Sequence, residues 1–261
     1  MRLRHAVILG LVQGPTEVLP VSSSAHLALI PRLAGWPEAR LDAEARNALE
    51  VALHGGAAAA LLIALRGELA CGVRELNPRT LAAATLALAP PALVGYLQEQ
   101  RLDRRRTGPR ALAAGLVLGG AAMAWADARP GSRSLPEVVP RDGLALGIAQ
   151  ALALLPGVSR NGATLTAAHA RGFTSEDSQA LSWRVGLPVI AGAAALKAVR
   201  LAQRGTAGDT IPALAGAAAA FVSTLACAPL VQPGRRGRPL RPFALYRAGL
   251  ALAAWRSAGA A

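Results

Sequence analysis

Aromatic residues make up only 3% of this 261-residue chain, charged residues 16%, and cysteine occurs twice. Cys71 and Cys227 lie far apart and outside any CxxC or Cys/His cluster, so no disulfide framework or zinc site is signalled. With few aromatics, alanine and glycine do the filling, and small residues let helices approach closely in lipid. The formal charge of +13 invites a nucleic-acid partner, but the arginines gather in short connections: Arg104, Arg105 and Arg106 in one, Arg235, Arg236 and Arg238 in another. Arginines that flank apolar runs follow topology and anionic headgroups, whereas nucleic acid needs a solvated basic face. Membrane lipids are the expected surroundings and no nucleic-acid partner is expected.

What is present is apolar. Hydrophobic residues reach 53%, in runs at 48–65, 81–97, 111–126, 179–196, 211–231 and 243–255. Most approach the roughly 20 helical residues that cross a hydrocarbon core. They do not alternate, which argues for helices over barrel strands. The expected fold is all-α, a polytopic membrane protein forming one membrane domain over 1–261. The N-terminal MRLRHAVILGLVQG has the outline of a signal peptide, but Gln13 and Glu17 interrupt it and no small-residue cleavage site follows, so it is expected to be retained.

Two stretches break the apolar pattern: QGPTEVLPVSSSAH at 13–26 and QALALLPGVSRNGAT at 150–164. They superpose at a constant offset of 137 residues, Gln13 on Gln150, Val21 on Val158 and Ser22 on Ser159, and the same offset lays later apolar runs on one another. One register for motifs and spans together points to an internal repeat, 1–130 and 131–261. Pro15 and Pro20 interrupt the first motif; Pro156, Gly157 and Gly162 interrupt the second. Irregular backbone survives at membrane depth only when buried in protein or lining a watery cavity. Each motif therefore reads as a re-entrant helix hairpin, about 5–34 and about 143–172. Three transmembrane helices follow each, so the second hairpin enters from the opposite side, an inverted repeat whose tips meet near the midplane. The flanking arginines divide between the two sides too evenly to orient the chain.

Polar groups at this density are costly in a membrane and mark function. A helix start at each tip offers unpaired N–H groups and a positive dipole end, suited to phosphate. Ser22, Ser23, Ser24, Ser159 and Thr164 add hydroxyls, and Arg160 adds a planar fork that matches phosphate oxygens. Arg160 at membrane depth needs an anionic partner, either Glu17 or a bound anion. Gln13 and Glu17, four apart, share a helical face if the helix continues through Pro15, and could hold a hard divalent cation. Ser22, Ser23 and His26 are candidate nucleophiles or bases, and spacing does not choose among them. His5, His54 and His169 read as structural.

At these residues the chain resembles the undecaprenyl-diphosphate phosphatase family of bacitracin-resistance membrane enzymes. The family's first signature appears as Gln13, Glu17, residues 19–23 and His26. Its second appears as Pro156, Gly157, Ser159, Arg160, Asn161 and residues 162–164, and similarity continues through LPVIAGAAALK at 187–197. The resemblance implies an inverted repeat of re-entrant hairpins, removal of the terminal phosphate from C55 polyprenyl diphosphate, and recycling of the lipid carrier for peptidoglycan synthesis. It also implies a Mg2+ or Ca2+ cofactor and a site on the outer side of the bacterial cytoplasmic membrane. Carried over, Glu17 is the essential acid, Ser23 and His26 the nucleophile or acid/base candidates, and Arg160 the phosphate clamp. Ser22, Ser24, Ser159, Asn161, Gly162 and Thr164 line the phosphate, and Gln13 joins Glu17 at the metal.

Two departures stand out. Asn161 replaces a serine, and Gln13 removes one negative charge from the metal site. Arg184 occupies a span position where an apolar residue is expected, and snorkelling is the only role the sequence suggests for it. A homodimer is left open. A transporter or flippase is the competing reading, since inverted repeats with broken helices also build transporters.

Overall fold

The computed structural model describes residues 1–104, 108–129, 131–204, 210–231 and 238–259, and the described residues are helical with no strand. The first motif lies in α1 (Leu3–Val18) and α2 (Ser23–Leu33). Helices α3 (Ala43–Ala64), α4 (Arg66–Arg74), α5 (Pro78–Arg104) and α6 (Pro109–Asp127) follow. The second motif lies in α7 (Pro140–Leu152) and α8 (Arg160–Ala170), followed by α9 (Ser175–Arg204), α10 (Thr210–Cys227) and α11 (Arg241–Ser257). The offset of 137 carries both ends of α2 onto those of α8, and the start of α1 onto that of α7.

Among the described residues, four segments are long and apolar enough to cross a membrane: Ala43–Ala64, Pro78–Leu97, Pro109–Asp127 and Thr210–Leu230. The sequence led us to expect six. The other two runs are also helical. α9, at 30 residues, has ample length at about 1.5 Å per residue but carries Arg184 and Lys197. α11 has 17 residues and includes Arg247 and Arg256. Arg184 does not snorkel: its guanidinium pairs with Glu68 and Glu75, which sit on and just past α4, a helix the apolar pattern did not announce. Arg105, Arg106, Arg235 and Arg236 lie outside the described residues.

The proline and glycine interruptions fall differently from the sequence expectation. Pro15 lies inside α1, and Gly162 inside α8. A proline at position 15 cannot donate to the Leu11 carbonyl, which would clash and go unpaired in an isolated helix. The Ser223 hydroxyl of α10 donates to that carbonyl at 2.5 Å, so the freed acceptor is satisfied across the helix interface. The true breaks are residues 19–22 and 153–159.

Packing crosses between the halves of the chain. α1 lies along α10, and α7 lies along α5. Both contacts depend on glycine: a Cβ on Gly10 would sit 2.3 Å from the Gly216 carbonyl oxygen, and one on Gly147 would sit 2.3 Å from that of Leu86. With no side chain at those points, backbones touch and dispersion acts over the whole face. α6 packs on α11, and α3 runs beside both α9 and α10. Val18, Leu61, Leu65, Trp183 and Leu187 form one buried cluster, which fixes the end of α1 against α3 and α9.

Candidate active site

Because α1 continues through Pro15, Gln13 and Glu17 sit one turn apart on the same face. The Gln13 Nε2 donates to Glu17 Oε2 at 3.2 Å. The chain then turns through residues 19–22, with the Val21 N–H bonded to the Leu19 carbonyl. Ser22 closes the turn at φ 74°, the left-handed region that costs a non-glycine residue of order 1–3 kcal/mol. That strain is held by burial and by His26, whose Nδ1 donates to the Ser22 carbonyl at 2.8 Å. The result places Ser23 at the first position of α2, where its hydroxyl donates to the same Glu17 Oε2 at 2.7 Å.

The second hairpin supplies the cation. Arg160 opens α8, and its nearest guanidinium nitrogen lies 3.7 Å from Glu17 Oε1. The guanidinium stands 4.9 Å from the Trp183 ring centroid on α9. Gly186, one turn further along α9, makes room: a Cβ there would come within 2.2 Å of an Arg160 nitrogen. All three guanidinium nitrogens are buried without a hydrogen-bond acceptor, and so is the Trp183 indole nitrogen. The 3.7 Å contact with Glu17 is an ion pair, not a hydrogen bond. The alternative of a closed Arg160–Glu17 pair therefore leaves the fork unused. Buried donors left unpaired cost about 1–3 kcal/mol each, and the fork has room in its bonding for an acceptor with several oxygens.

The other sequence candidates are placed elsewhere. His26 Nδ1 must carry its proton to serve the Ser22 carbonyl, leaving Nε2 to meet the Tyr246 hydroxyl at 2.7 Å. His26 thus faces α11 and touches neither Ser23 nor Glu17 through a hydrogen bond. Ser22 is buried, its hydroxyl 3.3 Å from that of exposed Ser24. Ser159 caps α8, accepting from the Gly162 N–H at 3.1 Å. Asn161 was expected to face phosphate. Its amide N–H instead goes to the Val18 carbonyl at 2.9 Å, and its oxygen accepts from Ser182 at 2.9 Å. Thr164 is wholly buried, bonded to Ser182 at 2.6 Å. These groups tie the two hairpins and α9 together around the site.

Four residues at the site carry roles that the sequence did not announce. His54, read as structural, points its Nε2 at Glu17 Oε2 from 3.9 Å. Trp183 and Gly186 frame Arg160 from α9, a helix distant in sequence. Arg247 on α11 is buried and hydrogen-bonds only backbone carbonyls: Leu116 and Gly115 of α6, Pro20 in one hairpin break and Gly157 in the other. It clasps both tips. A polar residue inside an apolar run was the available signal for His54 and Arg247, the same signal that marked Glu17.

A family model described as bacitracin resistance protein BacA matches residues 6–253. An undecaprenyl-diphosphatase of Geobacter sulfurreducens is 38% identical over 261 residues, covering 95% of each chain. That of Pelobacter propionicus is 37% identical over 95% of this chain and 94% of its own. That of Campylobacter concisus is 32% identical over 95% of this chain and 96% of its own. With glycine-packed helices, two hairpins and a carboxylate, hydroxyl and arginine gathered between them, this chain belongs to the BacA family of bacitracin resistance proteins.

Proposed function

We propose that this chain is a membrane phosphatase that converts undecaprenyl diphosphate to the monophosphate. The observation that carries the reading is the Arg160 guanidinium, buried and without an acceptor, beside a Glu17 that already holds the Ser23 hydroxyl. In this reading Arg160 and the Trp183 N–H receive the terminal phosphate oxygens. Ser23 Oγ attacks the terminal phosphorus while its proton passes to Glu17, forming the Ser–phosphorus bond as the anhydride P–O bond breaks. The departing lipid monophosphate takes that proton from Glu17, which is again a carboxylate. Water then attacks the phosphoserine and releases orthophosphate, with Glu17 taking the water's proton and returning one to Ser23. The geometry favours Ser23 over His26 as nucleophile because only Ser23 bonds the carboxylate. His26 and Asn161 act by holding the tip in place.

Glu17 and Gln13 suit a divalent cation such as Mg2+ or Ca2+: the Gln13 Oε1 is a buried acceptor with no hydrogen-bond partner. When bound, such a cation supplies positive charge to the phosphate oxygens. Among the described residues no three His, Cys, Asp or Glu side chains gather, so substrate oxygens and water complete its shell. We further propose six spans with the two hairpins entering from opposite sides of the bacterial cytoplasmic membrane. The reciprocal pairing of α1 with α10 and α7 with α5 supports this, as does the shared register. We also propose, on the family resemblance, that the site faces the outer side and that the monophosphate produced there re-enters carrier recycling for peptidoglycan. No observation favours a transporter. The test is release of orthophosphate from undecaprenyl diphosphate by purified protein in detergent with Mg2+ or Ca2+. Protein that binds the lipid yet is inert with either metal overturns the reading.

A further inference from the structure

α3 brings a nitrogen donor to the carboxylate that holds Ser23. The His54 Nδ1 lies 2.8 Å from the Glu50 carbonyl oxygen, which can only accept, so Nδ1 carries the proton and Nε2 presents a lone pair. That lone pair faces Glu17 Oε2 across 3.9 Å. The gap is too long for a hydrogen bond, and in the neutral imidazole both atoms are acceptors. Two donors each about 2.0–2.2 Å from one shared ion can span it. Anchoring the far ring nitrogen on a backbone carbonyl is also how ligating histidines are held in the right tautomer. A third, independent acceptor lies alongside. Gln13 is wholly buried, its nitrogen bonds Glu17, and its Oε1 has no partner. His54 itself is about one-third exposed, so an ion can reach it.

We propose that His54 Nε2 joins Glu17 and Gln13 Oε1 in ligating the divalent cation, making the site mixed nitrogen and oxygen. The inference rests on the cation site of the phosphatase reading. It gives the site a further donor atom, from α3. It also sets selectivity: Mg2+ and Ca2+ favour oxygen, whereas an imidazole ligand raises affinity for first-row transition ions, least at Mn2+ and more at Fe2+, Ni2+ and Zn2+. A simple ion pair between protonated His54 and Glu17 would put no nitrogen on the metal.

The experiment uses the full chain in detergent micelles titrated with Mn2+, read by electron paramagnetic resonance, with pulsed measurements for nitrogen-14 coupling. We expect one Mn2+ showing nitrogen coupling in the unmodified protein. In His54→Gln the coupling should vanish, with Mn2+ affinity about tenfold or more lower and Ca2+ affinity changed much less. Bound Mn2+ without nitrogen coupling overturns the His54 assignment while leaving a cation at Glu17 standing. Coupling that persists in folded His54→Gln does the same. Mn2+ binding unaltered by Glu17→Gln overturns the cation site itself and His54 with it. Should His54→Gln not fold, His54→Asn takes its place with the same expected loss of coupling.

Discussion

The two hairpins match in helix bounds and, in the proposed function, divide the chemistry. Gln13 and Gln150 occupy equivalent positions, both are buried, and both have an amide oxygen without a partner. Four residues on, the first hairpin has Glu17 and the second has Leu154. Gln13 therefore serves a carboxylate, whereas Gln150 donates to the Ala87 carbonyl of α5 and serves packing. One position after each helix cap, the first hairpin has Ser23 and the second Arg160. The caps differ as well. Ser159 caps α8 with its side chain in ordinary extended backbone, while Ser22 adopts left-handed φ and leaves its carbonyl to His26. Two hairpins with matching helix bounds thus supply two helix starts, and in the proposed function Ser23 makes one nucleophilic and Arg160 makes the other cationic.

That contrast can be broken most severely at the cation. Arg160→Ala should lower kcat/KM by a thousandfold or more, about 4 kcal/mol or more of lost transition-state stabilisation, measured as phosphate release. Near-normal turnover would remove the second hairpin from the chemistry. Next comes the clasp: Arg247→Leu strips carbonyls of both tips of their donor, and should destabilise the fold by about 3–5 kcal/mol, visible as a lower thermal midpoint in detergent. The paired amides give the sharpest comparison. Gln13→Ala should depress activity and raise the cation concentration required, whereas Gln150→Ala should cost about 1 kcal/mol of stability with little kinetic change. Equal kinetic losses would mean the repeat is functionally symmetric. The smallest effect belongs to Ser159→Ala, which loses a helix cap worth about 1 kcal/mol and leaves the clamp in place.

Much of the scaffold was legible in the sequence. The polar motifs, their offset and the apolar runs locate both hairpins and all the long helices, because hydrophobic length and helix breakers act locally. Pro15 was misplaced as a break because its rescue comes from Ser223, a hydroxyl on α10 that local sequence does not associate with it. α4 escaped because it is short and charged, and its role, pairing Glu68 with Arg184, exists only in three dimensions. The same limit governs the site. Glu17, Ser23 and Arg160 stand out as polar residues in an apolar chain. That Asn161 is a strut to Val18, that His26 turns to Tyr246, and that Trp183, Gly186 and His54 frame the centre depend on helices brought together from distant sequence.

In the proposed function the two hairpins form one phosphoryl-transfer site, hydroxyl from one and guanidinium from the other. A structure of the protein with orthovanadate tests it most directly. Vanadium is expected within bonding reach of Ser23 Oγ, with its oxygens hydrogen-bonded to Arg160. Vanadate bound away from Ser23, or at Ser23 with Arg160 making no contact, would contradict it.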